Sequence, residues 1–131
     1  MVDINRIAAG NYWNHMGLSL IVKDEAAYVT MKEMTETTQV YGNIHGGAVA
    51  GLIDASIAIA INNQLPLDQG AYTIEMKVNY LLPAKGELIA KGSILKKGNK
   101  IIVGQSEVTN SNGEIIAIGI ATFMAINSNV P

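Results

Sequence analysis

Through most of the second half of the chain, apolar and polar residues alternate singly. Tyr72, Ile74, Met76, Val78 and Tyr80 are interleaved with Thr73, Glu75, Lys77 and Asn79. A period of two predicts a strand with one face turned to a core. Residues 88–95, 101–108 and 115–126 predict three more strands. Gly98-Asn99 and Asn112-Gly113 between them have hairpin-turn composition, and Pro83 and Gly86 mark a turn ahead of the first. Read in order, these are four strands in antiparallel succession.

The first half differs. Asp3 is placed to cap a short helix that Gly10 ends. Residues 18–22 and 26–31 read as strands around a Lys23-Asp24-Glu25 turn, and polar residues 35–39 with Gly42-Asn43 read as loop. Gly46-Gly47 then opens residues 48–62, apolar on nearly every face of a 3.6-residue period. Such a helix is expected to be buried. In the last strand Ala117, Gly119, Ala121 and Ala125 form a small-residue face, whereas Ile116, Ile118, Ile120 and Met124 form a large one. A helix can lie close on the first, and the second needs cover from elsewhere. A sheet wrapped around one central helix, with its outer face pressed on a partner, satisfies both: an α+β architecture of hotdog type.

The length of 131 residues suits one domain over 1–131, with enough chain to bury a core without staples. Hydrophobic residues at 49% against 15% charged exclude disorder and point to an oligomer. The absence of cysteine removes disulfides, thiolate zinc sites and a cysteine nucleophile. A net charge of −2 without a basic run gives no phosphate-neutralising face for nucleic acid. The start of the chain lacks a signal-peptide pattern, and the longest apolar stretch is too short to span a bilayer and is interrupted by Asp54. The expected location is the cytoplasm, away from the membrane.

Asp54 is the main anomaly. Burying a carboxylate within Leu52-Ile53-Asp54-Ala55-Ser56-Ile57 costs several kcal/mol unless it is partnered. One reading is a structural hydrogen-bonding residue or one facing an oligomer seam; the other is a general base or nucleophile. His45-Gly46-Gly47 begins the helix, where free N–H groups and the dipole can stabilise an oxyanion. From Gly46 to Asp54 is about 12 Å along the helix at 1.5 Å per residue. One substrate carbonyl cannot touch both. If both act on one substrate they must come from different subunits of an isologous dimer. No His/Asp/Glu cluster has metal-ligand spacing, no phosphate loop is present, and Ser56 lacks a nucleophile elbow. Lys97, Gly98 and Asn99, in the basic tip at residues 96–100, are either solvated or hold the phosphates of a nucleotide-like carrier.

The run His45-Gly46-Gly47-Ala48-Val49-Ala50-Gly51-Leu52-Ile53-Asp54 resembles the helix-opening signature of the PaaI-like acyl-CoA thioesterases of the hotdog superfamily. Val78-Asn79-Tyr80-Leu81-Leu82-Pro83-Ala84, Gly86-Glu87-Leu88 and Asn112-Gly113-Glu114-Ile115-Ile116-Ala117 resemble its later strand and hairpin, so the likeness covers residues 15–126. It implies a homodimer with a continuous sheet, often paired into a homotetramer, and no metal or redox cofactor. It implies that Asp54 activates water or attacks the thioester itself, and that the Gly46 N–H polarises the carbonyl. His45 would hold the loop or touch the thioester, and Gln39 falls where the family has Asn or Gln beside it. Thr73 falls where a hydroxyl orients water, and Ala58 lacks the polar group that some members carry. Gly47 and Asn43 flank these groups and are assigned to substrate binding. The substrates expected are aryl- or medium-chain acyl-CoA esters, with Trp13, Met16 and Tyr41 as candidate walls of the acyl pocket. The alternatives are a non-catalytic acyl-CoA-binding hotdog protein and an acyl-thioester dehydratase pairing His45 with Asp54.

Overall fold

The computed structural model describes residues 3–127. Two short helices, α1 (Ile4–Ala8) and α2 (Asn11–Met16), precede strands β1 (Leu18–Lys23) and β2 (Ala26–Met31). A 3-10 turn over Thr35–Thr37 leads to α3 (Gly46–Asn62), followed by β3 (Gln69–Tyr80), β4 (Leu88–Lys97), β5 (Ile101–Thr109) and β6 (Ile115–Asn127). Asp3 caps α1 through the Arg6 N–H as expected, but that helix ends at Ala8. The pattern did not announce α2, which Gly17 terminates in the left-handed region at φ 69°.

The strands form one six-stranded sheet in the order β1-β2-β4-β5-β6-β3. This corrects the simple succession. β4, β5 and β6 are hairpin neighbours, but β3 pairs with β6, and β4 pairs with β2. The Pro83 turn is therefore a crossover between distant strands. It is tied down on both sides: the Ile44 N–H donates to the Ala84 carbonyl at 2.9 Å, and the Leu81 N–H donates to the Ile116 carbonyl at 2.8 Å. β3 consequently lies at an open edge of the sheet.

α3 lies in the curl of the sheet because the strands beneath it lack side chains where it passes. A Cβ at Gly104 would stand 2.6 Å from Ile57 Cγ2, one at Gly119 would stand 2.6 Å from Ile53 Cγ2, and one at Gly92 would collide with the Ser56 carbonyl. Leu52, Ile53, Ile57, Ile59 and Ile61 fill the core together with Phe123, Met31 and Leu88. Ser56 and Ser106 share a buried hydrogen bond of 2.6 Å between helix and sheet.

The two faces of β6 are largely as expected: Ala117, Gly119 and Ala121 are turned to the helix, while Ile118, Ile120 and Met124 are exposed. Ile116 departs from that scheme. It is buried because a bulge lets it slip between the partners Val108↔Ala117 and Thr109↔Ile115. The helix departs too. It is not buried all round: Gly47 is exposed, and Ala50, Gly51, Asp54 and Ala58 are only partly covered. No described helix is long and apolar enough to cross a membrane.

Candidate active site

Two sets of functional groups stand on α3. The first is its N-terminal turn. His45 is the N-cap, and its ring Nδ1 accepts the Gly47 N–H at 2.8 Å. The His45 carbonyl accepts the Ala48 and Val49 N–H groups at 2.9 and 3.2 Å. Of the first four N–H donors of the helix, only that of Gly46 is left without a bond among the described residues. His45 is itself fixed through its N–H to the Thr37 carbonyl at 2.6 Å. Because Nδ1 accepts, a neutral His45 ring carries its proton on Nε2.

Tyr80, at the end of β3, completes this turn. Its hydroxyl donates to the Gly46 carbonyl at 2.8 Å, and its ring is close enough that a Cβ on Gly46 would stand 3.3 Å from Cζ. Gln39, Asn43, Gly46, Tyr80 and the crossover residues Leu81–Ala84 line a cavity of about 410 Å³. The structure thus brings Gln39, Asn43 and Gly46 together. The Gln39 side-chain oxygen accepts the Tyr41 N–H at 2.6 Å, which leaves its amide nitrogen free to donate. Asn43 Oδ1 is buried and has no partner among the described residues.

The second set lies eight residues further along the helix. Thr73 Oγ1 donates to Asp54 Oδ1 at 2.7 Å. That contact depends on an irregularity in the strand whose alternation looked cleanest. The register passes from Thr73↔Phe123 to Glu75↔Thr122, so Ile74 is an extra residue. Strict alternation would put Thr73 and Val78 on opposite faces. With the bulge, Thr73 faces the helix as Phe123 does, while Met76 and Val78 pack on the core and Tyr80 reaches Gly46. Asp54 is half-buried in the chain, less enclosed than its apolar flanks suggest.

Tyr12 is the residue the sequence reading missed. Its hydroxyl rests on Gly51, one turn before Asp54, in the space a Cβ there would occupy. Burial, and secondarily the Asp54 charge, hold its phenol above the ordinary tyrosine pKa. The candidate walls Trp13, Met16 and Tyr41 fare differently. Trp13 belongs to the core, Met16 packs against it, and Tyr41 is 84% exposed on a loop tip. The helical period of α2 puts Trp13 inward and Tyr12 outward; had α2 been recognised, that period would have flagged Tyr12.

The third predicted group is remote. Lys97, Gly98 and Asn99 form the β4–β5 hairpin, where Lys97 Nζ donates to the Gln64 carbonyl beyond the C-terminal end of α3 at 3.0 Å. Within one protomer the hairpin lies at the opposite end of the helix from Gly46. Among the described residues no group of three His, Asp or Glu is placed to share a metal.

The thioesterase superfamily model matches residues 41–117, the segment from the loop before α3 through most of the sheet. Acyl-coenzyme A thioesterase 13 of Homo sapiens is 33% identical over 94 residues, covering 68% of this chain and 65% of that protein. The medium/long-chain acyl-CoA thioesterase YigI of Escherichia coli K12 is 30% identical over 95 residues, covering 62% of this chain and 61% of that protein. The chain thus spans a little under two thirds of the length of these relatives. The BH2602 protein of Bacillus halodurans, in a crystal structure with CoA, superposes with a TM-score of 0.88 at 27% identity over 95% of this chain and 84% of that one. With a helix cradled by an antiparallel sheet and a family match over more than half its length, the chain belongs to the thioesterase superfamily and has its hotdog fold.

Proposed function

We propose that the protein is an acyl-CoA thioesterase that hydrolyses an aryl- or medium-chain acyl-CoA to the free acid and CoA. One observation carries this reading: α3 offers a single free N–H at Gly46 and, eight residues on, a threonine-bonded carboxylate at Asp54. The names of the relatives and the CoA in the BH2602 structure support the substrate class.

The separation of the two groups, about 12 Å along the helix axis, argues for a site shared between subunits. The open edge of β3 supplies the means. Its 12 residues have one side free to pair with a second copy, which would extend the sheet without a break. Gly46 of one subunit would then face Asp54 of the other. The exposed Ile118, Ile120 and Met124 on the outer sheet face suit a further pairing of dimers into a tetramer.

In the reaction, Asp54 takes a proton from water while the water oxygen bonds to the thioester carbon. The carbonyl electrons move onto oxygen, and the Gly46 N–H donates a hydrogen bond to the resulting oxyanion. The C–S bond then breaks, the thiolate leaves, and the proton passes to sulfur. In the variant route Asp54 attacks directly and water opens the resulting anhydride. His45 holds the turn through Gly47. Gln39 has a free amide N–H for the thioester region, and Asn43 has a buried acceptor for the substrate's amide arm. Lys97, with two N–H donors beyond its bond to Gln64, would meet the phosphates with Gly98 and Asn99.

The test mixes two disabled proteins. Asp54→Asn lacks the base and Gly46→Pro lacks the donor. Random pairing makes half the dimers mixed, each with one intact shared site, so the mixture regains about a quarter of parental activity in a thiol-release assay. A mixture no more active than its components would rule out the shared site.

A further inference from the structure

We propose that Tyr12 holds the attacking water together with Asp54, so that the reacting water is gripped from the N-terminal helices as well as from β3. This rests on the thioesterase reading above. The argument is geometric. Tyr12 lies on α2, outside the segment matched by the family model, and its hydroxyl fills the place of a side chain at Gly51. Side chains three apart on a helix begin about 5–6 Å from each other. They also lean toward the helix N-terminus, so the Asp54 carboxylate tilts back over the Gly51 turn. The two groups approach one another, and the Asp54 charge reaches the phenol. Yet no hydrogen bond joins them: the Thr73 hydroxyl binds Asp54 Oδ1, and the Tyr12 hydroxyl makes no bond among the described residues. An unbonded hydroxyl about one helical turn from a carboxylate offers a bridging water a partner on each side.

The chemistry fits that water. Asp54 accepts one of its protons. The Tyr12 hydroxyl, which can donate as well as accept, fixes the direction of the oxygen lone pair that attacks. The absent side chain at position 51 is a condition of the arrangement, since an alanine methyl would push the phenol away.

The experiment measures steady-state thiol release from an acyl-CoA series (acetyl, butanoyl, octanoyl, benzoyl) by the parent protein, Tyr12→Phe, Gly51→Ala, Asp54→Asn and the double variant Tyr12→Phe/Asp54→Asn. Tyr12→Phe keeps the ring and deletes only the hydroxyl. It is expected to lower kcat about tenfold, the size of one hydrogen bond near a charge. The loss should be the same for every ester, with KM within about twofold. Gly51→Ala should do the same. In the Asp54→Asn background the added Tyr12→Phe change should cost nothing more, because both groups serve one water. A Tyr12→Phe protein with parental kcat on all esters would overturn the proposal. So would a loss that varies with the acyl group, which would make Tyr12 a pocket wall. If the parent protein releases thiol from no ester, the thioesterase reading falls and this role falls with it.

Discussion

The two candidate regions of α3, its N-terminal turn and the surroundings of Asp54, differ in how the chain secures them. The N-terminal turn is closed by its own subunit. His45 caps it, Tyr80 grips the Gly46 carbonyl, and the crossover packs beneath it, so one N–H alone stays open. The middle of the helix is open. Asp54 has one hydroxyl partner from an edge strand, a second hydroxyl nearby, and a half-covered surface. The first region is preorganised by contacts within the chain; the second is only partly covered by it. Preorganised donors need not reorient during reaction, whereas a base works best once water is excluded around it. The contrast is what the proposed division of the site between two subunits would require.

The comparison is broken most severely at the open region. Asp54→Asn preserves shape, leaves the Thr73 hydroxyl a carbonyl to meet, and removes the carboxylate proposed as the base. Its kcat is expected to fall by about 10²–10⁴, the range of general-base catalysis. Loss below tenfold in thiol release would make Asp54 a structural residue. Next comes Gly46→Pro. Proline is favoured at the first helical position, and His45 at φ −60° and ψ 139° already has the extended backbone that proline demands of its predecessor. The substitution therefore deletes the open N–H while sparing the helix, with a small push of its ring atoms against Tyr80. A fall of about 10²–10³ in kcat is expected, with the far-ultraviolet circular dichroism unchanged.

A smaller effect sharpens the description of the closed turn. Tyr80→Phe loses one hydrogen bond to the Gly46 carbonyl, worth about 0.5–1.5 kcal/mol. Urea unfolding should show a loss in that range, and kcat should drop by a few fold as the donor loosens. The smallest effect tests the electrostatics of the open region. The Tyr12 phenol is held above its ordinary value, so the folded state favours the neutral form. That preference is intact below about pH 10 and is lost as pH rises through the folded value. Asp54→Asn removes the lesser of its two causes. In an absorbance titration, with Tyr12→Phe used to assign the signal, the Tyr12 midpoint should move down but stay above that of free tyrosine. No movement would separate the two groups.

Much of this was readable in advance. The helix from Gly46, the pair of strands before it and the span of the later strands followed from period and punctuation, with ends displaced by a few residues. Asp54 stood out because a charge inside an apolar helix is costly, and Gly46 because two glycines open that helix. Thr73 was identified by resemblance, while strict alternation would have set it opposite to Met76 and Val78, and only the bulge at Ile74 brings it to Asp54. What was misread is of two kinds. The four-strand succession and the buried Ile116 turn on residues far apart in the chain, whereas Tyr12 went unnoticed because the short helix α2 was not recognised.

The sequence by itself determined which segments are helix or strand, which face of β6 admits the helix, and which residues have chemistry to offer. These follow from local spacing, which each segment carries within itself. The tertiary structure decided that β3 crosses to an open edge, that a bulge at Ile74 turns Thr73 toward Asp54, and that Tyr12 fills the space left by Gly51. Pairing partners and bulges are set by long-range packing, where one displaced residue reverses every later facing. No period within a single strand records that.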